Sequence, residues 1–157
     1  MNDNSYISVE QFVNELLKHR PFDRNTIEYD MYEQTSFSSD TFDYMQYGYH
    51  AGWLEDMDIS GKNTPLLRKN AARIIHEFMR LELREPDLDD VSCSFKLRDL
   101  YDCRVCTKHV MQIYAKEIMG GYYASDTLYL FGMNEPVSMT EMAEIISRIF
   151  KQRKQYP

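Results

Sequence analysis

The chain carries a second copy of part of itself. Gly61-Lys-Asn-Thr-Pro65 returns as Gly132-Met-Asn-Glu-Pro136, and the register then holds without a gap over 61–79 against 132–150. Beyond the Gly, Asn and Pro of the loop, Ala72 matches Ala143, Ile74 matches Ile145 and Ile75 matches Ile146. An internal repeat constrains architecture strongly, because one unit cannot bury its apolar face alone and must stack on its copies. It also argues against an enzyme, since a repeated packing unit accounts for most of the informative residues.

Each copy reads as helix A, a glycine-containing loop and helix B. In the later copy helix A runs from about Cys103 to Ile118, with Cys106, Val110, Ile113 and Glu117 along one side and Gly120-Gly121 as its stop. The loop that follows holds Leu128-Tyr-Leu-Phe131, a short extended stretch at most. Helix B opens on the capping box Ser138-Met-Thr-Glu141, with Met139, Met142, Ala143, Ile146, Ile149 and Phe150 at helical spacing. In the earlier copy helix A covers about Asp40 to Leu54. Helix B there follows Thr64-Pro65, with Thr64 as cap and Pro65 as first helical residue, and its stripe is Leu67, Ala71, Ile74, Ile75 and Phe78. A third, truncated copy starts near Asn4. Ser8-Val-Glu-Gln11 repeats the capping pattern, and Val9, Phe12, Val13, Leu16 and Leu17 form the stripe. The expected fold is mainly α: one domain over 1–157, made of a half unit (4–19) and two full units (40–80 and 97–152), with three B helices packed in a pseudo-threefold bundle.

At 157 residues with 43% hydrophobic content the chain can bury a substantial core. The net charge of -7 disfavours nucleic acid or an anionic membrane as the main partner. No run reaches the ~18 apolar residues of a membrane span. Met-Asn-Asp-Asn-Ser-Tyr is not a secretory leader, so the expectation is a cytoplasmic protein, or a cell-surface one if a leader has been trimmed. Three cysteines, Cys93, Cys103 and Cys106, fit a reducing compartment better than a disulfide framework. The connections over 19–39 and 81–102 are long and polar, and the acidic run Glu82, Glu85, Asp87, Asp89, Asp90 reads as a solvated face.

These motifs resemble the S-layer homology family. Leu97-Arg-Asp99-Leu100 stands in for that family's Phe-x-Asp-Val, Ile118-Met-Gly-Gly121-Tyr122 for its Gly-Ile-x-x-Gly-Tyr, Phe131–Pro136 for its loop, and Val137-Ser-Met-Thr-Glu141 for its Thr-Arg-Ala-Glu. The earlier copy offers Gly52-Trp53-Leu54 and Leu66-Leu-Arg68-Lys-Asn70 at the same places. The resemblance implies a three-unit spindle of the kind that anchors exported proteins to secondary polysaccharides of bacterial cell walls. Its motif arginine helps to bind an acidic, pyruvylated sugar, as suits a bidentate donor facing a carboxylate. Only Arg68 keeps that arginine; Met139 and Val9 hold the other two positions. Tyr122 keeps the aromatic residue after the glycine, and Met57 replaces it in the earlier copy.

Other constellations carry less. Cys93, Cys103, Cys106 and His109 offer four zinc ligands at a spacing unlike a common knuckle, so core packing of Cys106 is the preferred reading and zinc the lesser one. His19, His50, His76 and His109 share no spacing that marks a common site, and His76 falls on the polar side of its helix. There is no phosphate-binding glycine loop, G-x-S-x-G or H-E-x-x-H. At helical spacing Phe42, Tyr49 and Trp53 are core, and Tyr44 and Tyr47 face outward. The basic end Lys151-Gln-Arg153-Lys154 suits a helix C-terminus.

The leading expectation is a non-catalytic binding module of the S-layer homology type, with Arg68, Trp53 and Tyr122 as ligand-binding residues and neither cofactor nor metal. The alternative is an intracellular protein-interaction or inhibitor module on the same helical fold. The partner is accordingly a cell-wall polysaccharide or another protein. The truncated copy leaves one side of the bundle open, to be covered by a homodimer contact or by the 19–39 segment.

Overall fold

The computed structural model describes residues 5–19 and 43–151. Asn4, the connection over 20–39, helix A's expected start at Asp40, Phe42, and Arg153 and Lys154 lie outside them. The protein is mainly helical: α1 (Val9–Lys18), α2 (Tyr44–Ala51), α3 (Asp56–Ser60), α4 (Arg68–Leu81), a 3-10 turn (Ser92–Lys96), α5 (Arg104–Ala115) and α6 (Met139–Lys151), with strands β1 (Tyr122–Tyr123) and β2 (Tyr129–Leu130). The strands pair antiparallel, Tyr122 opposite Leu130 and Tyr123 opposite Tyr129. Among the described residues no helix is long and apolar enough to cross a membrane.

α1 follows its sequence pattern closely. Ser8 Oγ accepts from the Gln11 N–H while Gln11 Oε1 accepts from the Ser8 N–H, which completes the capping box. All five residues of the expected stripe are buried. Filling the core this way stabilises by about 1.5–3 kcal/mol for each large aliphatic or aromatic side chain.

The centre of the molecule is built from backbone. Ile7, Leu66 and Val137 sit in short extended segments just ahead of α1, α4 and α6, and all three are fully buried. The Ile7 N–H donates to the Val137 carbonyl (3.1 Å), Val137 to Leu66 (2.8 Å) and Leu66 to Ile7 (2.9 Å), which closes a ring. A second ring surrounds it: Val9 donates to the Thr64 carbonyl (3.2 Å), Arg68 to Glu135 (2.8 Å) and Met139 to Ser5 (2.8 Å). Buried backbone donors must find partners, and here each segment's donors are satisfied by the next segment.

That ring corrects the expected start of α4. Thr64 does not cap the helix and Pro65 is not its first residue; Leu67 is the N-cap, without a side-chain cap bond. Residues 65–67 stay extended because they pair with Ser8 and Pro136. The Thr64 hydroxyl donates instead to the Gly61 carbonyl at 2.6 Å.

α5 also ends sooner than expected, and Gly120-Gly121 is not what stops it. Glu117 takes a left-handed conformation (φ 62), its N–H donates to Tyr114 and the Ile118 N–H reaches back to Ile113 (3.0 Å), a Schellman closure without glycine. Gly121 serves packing: a Cβ there would lie 2.7 Å from the Leu130 carbonyl oxygen and 2.9 Å from the Tyr129 ring, whereas one on Gly120 would meet nothing within 4 Å. Gly121→Ala should therefore cost about 1–3 kcal/mol by overpacking while Gly120→Ala stays near neutral, as thermal denaturation of the two variants would show.

Three further expectations are corrected. Tyr47 is buried and Tyr49 exposed, because the chain doubles back after α2 and lays Trp53 and Leu54 over Gly48, which rotates the buried side to Met45, Tyr47 and Gly48. In α6 the exposed Met139 and Ala143 leave the stripe, and Ile145 joins Met142, Ile146 and Ile149 in the core. The acidic 81–102 connection is more than a solvated face. Glu85 is buried against the Lys116 ammonium, and the backbone of Leu88 bonds twice to the Gln112 side chain.

Candidate functional site

Arg68 stands at the first turn of α4, facing the later repeat unit. Its Nε donates to the Phe131 carbonyl (2.8 Å), Nη2 donates to the Gly120 carbonyl (2.6 Å), and Nη1 pairs with the Glu141 carboxylate. The guanidinium also lies over the Phe131 ring, 4.7 Å from its centroid. Burial pulls its pKa below the ordinary arginine value, against the opposing charges of Glu135, Tyr122 and Asp99. It stays cationic, since arginine starts so high.

Beside it opens a groove of about 550 Å³, lined by Arg68, Gly121, Tyr122, Glu135, Ser138, Thr140, Glu141, Glu144 and Arg148. The loop that holds Arg68 through the Phe131 carbonyl is itself tied down by Asp99, whose carboxylate accepts from the backbone N–H groups of Phe131 (2.8 Å), Gly132 (2.9 Å) and Met133 (3.3 Å). Tyr122 is partly exposed on the groove's rim, with its hydroxyl bonded to Glu135. The Glu135 carboxylate raises the Tyr122 pKa, first through that hydrogen bond and then with desolvation and charge. Three carboxylates thus face two guanidiniums in this groove.

Of the three sequence-derived ligand residues, Arg68 and Tyr122 share this groove and Trp53 does not. Trp53 is almost wholly buried, stacks edge-on against Phe78 (5.2 Å) and donates from Nε1 to Glu82 (3.0 Å). It borders a different depression, together with Arg73, His76, Glu77, Asp87 and His109. Known protein families, curated proteins and solved structures contain no match to this chain.

The cysteine expectation changes. Cys103 and Cys106 form a disulfide across the first turn of α5, their Cα atoms 5.2 Å apart, because an N-cap residue and the third helical residue face each other. Cys93 is exposed on the 3-10 turn, so Cys93, Cys103, Cys106 and His109 do not converge as zinc ligands.

His109 instead meets His76, which corrects the expectation that no histidines share a site. The two Nδ1 atoms are 2.8 Å apart, and Asp87 Oδ1 lies 2.7 Å from His76 Nε2. Both rings are buried, because α5 packs on the side of α4 that reads as polar in sequence. Burial, and then the neighbouring His76, pull the His109 pKa down to about 4. Nothing in the sequence signals this pair, since the two residues lie 33 apart on different helices.

Proposed function

We propose that the protein is a non-catalytic carbohydrate-binding module of S-layer homology type, built as a pseudo-threefold bundle, with its ligand groove at Arg68 and Tyr122. The pseudo-threefold reading is supported by the two backbone rings, in which corresponding residues of the three copies bond head to tail. The observation that carries the functional reading is that Arg68 and Tyr122, from different units, line one groove with Ser138 and Glu141 of the capping motif.

The groove's electrostatics narrow the ligand. The Glu141 carboxylate already takes the face of the Arg68 guanidinium that an acidic sugar would occupy. Glu135, Glu144 and the spread donors of Arg148 suit the hydroxyls and amines of a neutral or amino-sugar polymer, with Tyr122 as stacking surface. A pyruvylated polymer would need to displace Glu141 and would meet two further carboxylates.

The test is retention on immobilised polysaccharides, neutral, amino-sugar and pyruvylated. Wild type should be held by the first two, and Tyr122→Ala should weaken retention at least tenfold. Arg148→Ala should also weaken it, while Tyr101→Ala, exposed outside the groove, should not. Arg68→Ala is read only alongside its melting curve, because Arg68 holds two loop carbonyls. Failure of wild type to bind any of the polymers would end the glycan reading. A protein-interaction module is the second reading, favoured by Phe95, Tyr101 and Val105, each more than half exposed around the 3-10 turn and the start of α5.

A further inference from the structure

We infer that His76, Glu77 and His109 form a binding site for a divalent metal ion of the zinc type, with Asp87 as the group that orients His76. The site is separate from the groove at Arg68 and does not depend on what that groove binds. Its three donor atoms, one from each residue, all lie within 4.8 Å of one another. Two imidazoles and a carboxylate are a donor set that zinc accepts readily.

The hydrogen bonding defines how each ligand would act. A carboxylate only accepts, so Asp87 requires His76 to carry its proton on Nε2. The His76 Nδ1 lone pair then faces His109 Nδ1, which must hold the proton between them. A metal ion takes that proton's place: the His109 proton moves to Nε2, and both Nδ1 lone pairs turn to the ion. The rings need only part from 2.8 Å to roughly the 3.3 Å that two ligands at zinc–nitrogen distance subtend in a tetrahedron. Glu77 is already placed: Arg80 holds its Oε2 at 2.7 Å and its Oε1 more loosely at 3.4 Å, and that Oε1 lies 3.8 Å from His76 Nδ1. A histidine ligand whose other nitrogen donates to a carboxylate is a recurrent feature of metal sites, since it fixes the tautomer and raises ligand basicity.

The surroundings are compatible with a dication. Arg73 is paired with Asp58, Arg80 shares the Glu77 carboxylate, and the Asp87 carboxylate at His76 adds a further negative charge; Lys108 borders the depression. The depression of about 450 Å³ in which His76, Glu77 and His109 lie leaves room for a water or a ligand oxygen in the fourth position. An ion there would join α4, α5 and the loop carrying Asp87.

The experiment is titration of zinc into untagged, chelator-stripped protein by calorimetry, with cobalt(II) absorption as a second readout. Wild type should take up one equivalent and melt at a higher temperature with zinc present. His109→Gln and His76→Gln, each checked for an intact circular dichroism spectrum, should lose that binding, and Asp87→Asn should weaken it ten- to a hundredfold. Cobalt should give visible bands of a four-coordinate site without a thiolate charge-transfer band. If either glutamine variant fails to fold, Glu77→Gln takes its place in the comparison. No stoichiometric uptake by wild type would overturn the site. So would uptake unchanged in the variants, or a thiolate band, which would place the ion on the cysteines.

Discussion

Asp99→Ala should be among the most destabilising single substitutions in this chain. The carboxylate accepts three backbone N–H groups, those of Phe131, Gly132 and Met133, all in buried positions. Removing it leaves three buried donors without their acceptor. At roughly 1–3 kcal/mol for each orphaned donor, the loss should be about 4 kcal/mol or more. That is a large share of the ~5–15 kcal/mol by which a domain of this kind is stable. In urea, with a slope near 2 kcal/mol per molar, the unfolding midpoint should fall by about 2 M. Asp99→Asn keeps one acceptor oxygen and should fall between wild type and alanine. The effect should also reach the groove, since the Phe131 carbonyl and ring hold Arg68. An Asp99→Ala midpoint within experimental error of wild type would show that the loop is held by something else.

Asp99 also illustrates which parts of this molecule are legible in its sequence. The repeat places Asp99 and the 131–136 loop in one unit, and helical periodicity marks α1 residue by residue. Both signals are local: they need only the chain's own neighbours and its 3.6-residue turn. Residues 65–67 escape that reading, because their extended form comes from partners at Ser8 and Pro136 that lie far along the chain. Tyr47 and Tyr49 exchange places for a similar reason, since a glycine at 48 lets Trp53 and Leu54 fold onto α2.

The site divides the same way. Arg68 stands out when the copies are aligned, because the other two units replace it with Val9 and Met139. Its engagement does not, since two of its acceptors are the backbone carbonyls of Gly120 and Phe131, which carry no side-chain signature. The His76–His109 pair is invisible for want of any spacing rule between packed helices. Sequence pattern thus locates elements that answer to their own neighbours, and misses those decided by a second segment.

The second large effect concerns a buried ion pair. Asp58, in α3, accepts from both Nη1 (2.8 Å) and Nη2 (2.7 Å) of Arg73 in α4, and both residues are buried. Burial works against the Arg73 charge, but the hydrogen bonds and charge of Asp58, with Glu55 and Glu77, outweigh it and raise the Arg73 pKa. Asp58 has a second task, since its Oδ2 also accepts from the Glu55 N–H at 2.8 Å and so starts α3. Asp58→Ala removes the bidentate, buried partner and leaves the guanidinium only the exposed Glu55, 3.6 Å from its Nε, which should cost about 3–5 kcal/mol. Arg73→Met leaves the almost wholly buried Asp58 carboxylate with only its backbone donor at Glu55, so its cost should be comparable. The double variant is the informative one. With no charge left to bury, it should be more stable than Asp58→Ala alone, by about 1 kcal/mol or more in a double-mutant cycle. Chemical denaturation of the four proteins at one pH measures this. If the double variant proves as unstable as the sum of the singles, the pair contributes no coupling, and the cost of Asp58→Ala lies in the lost start of α3.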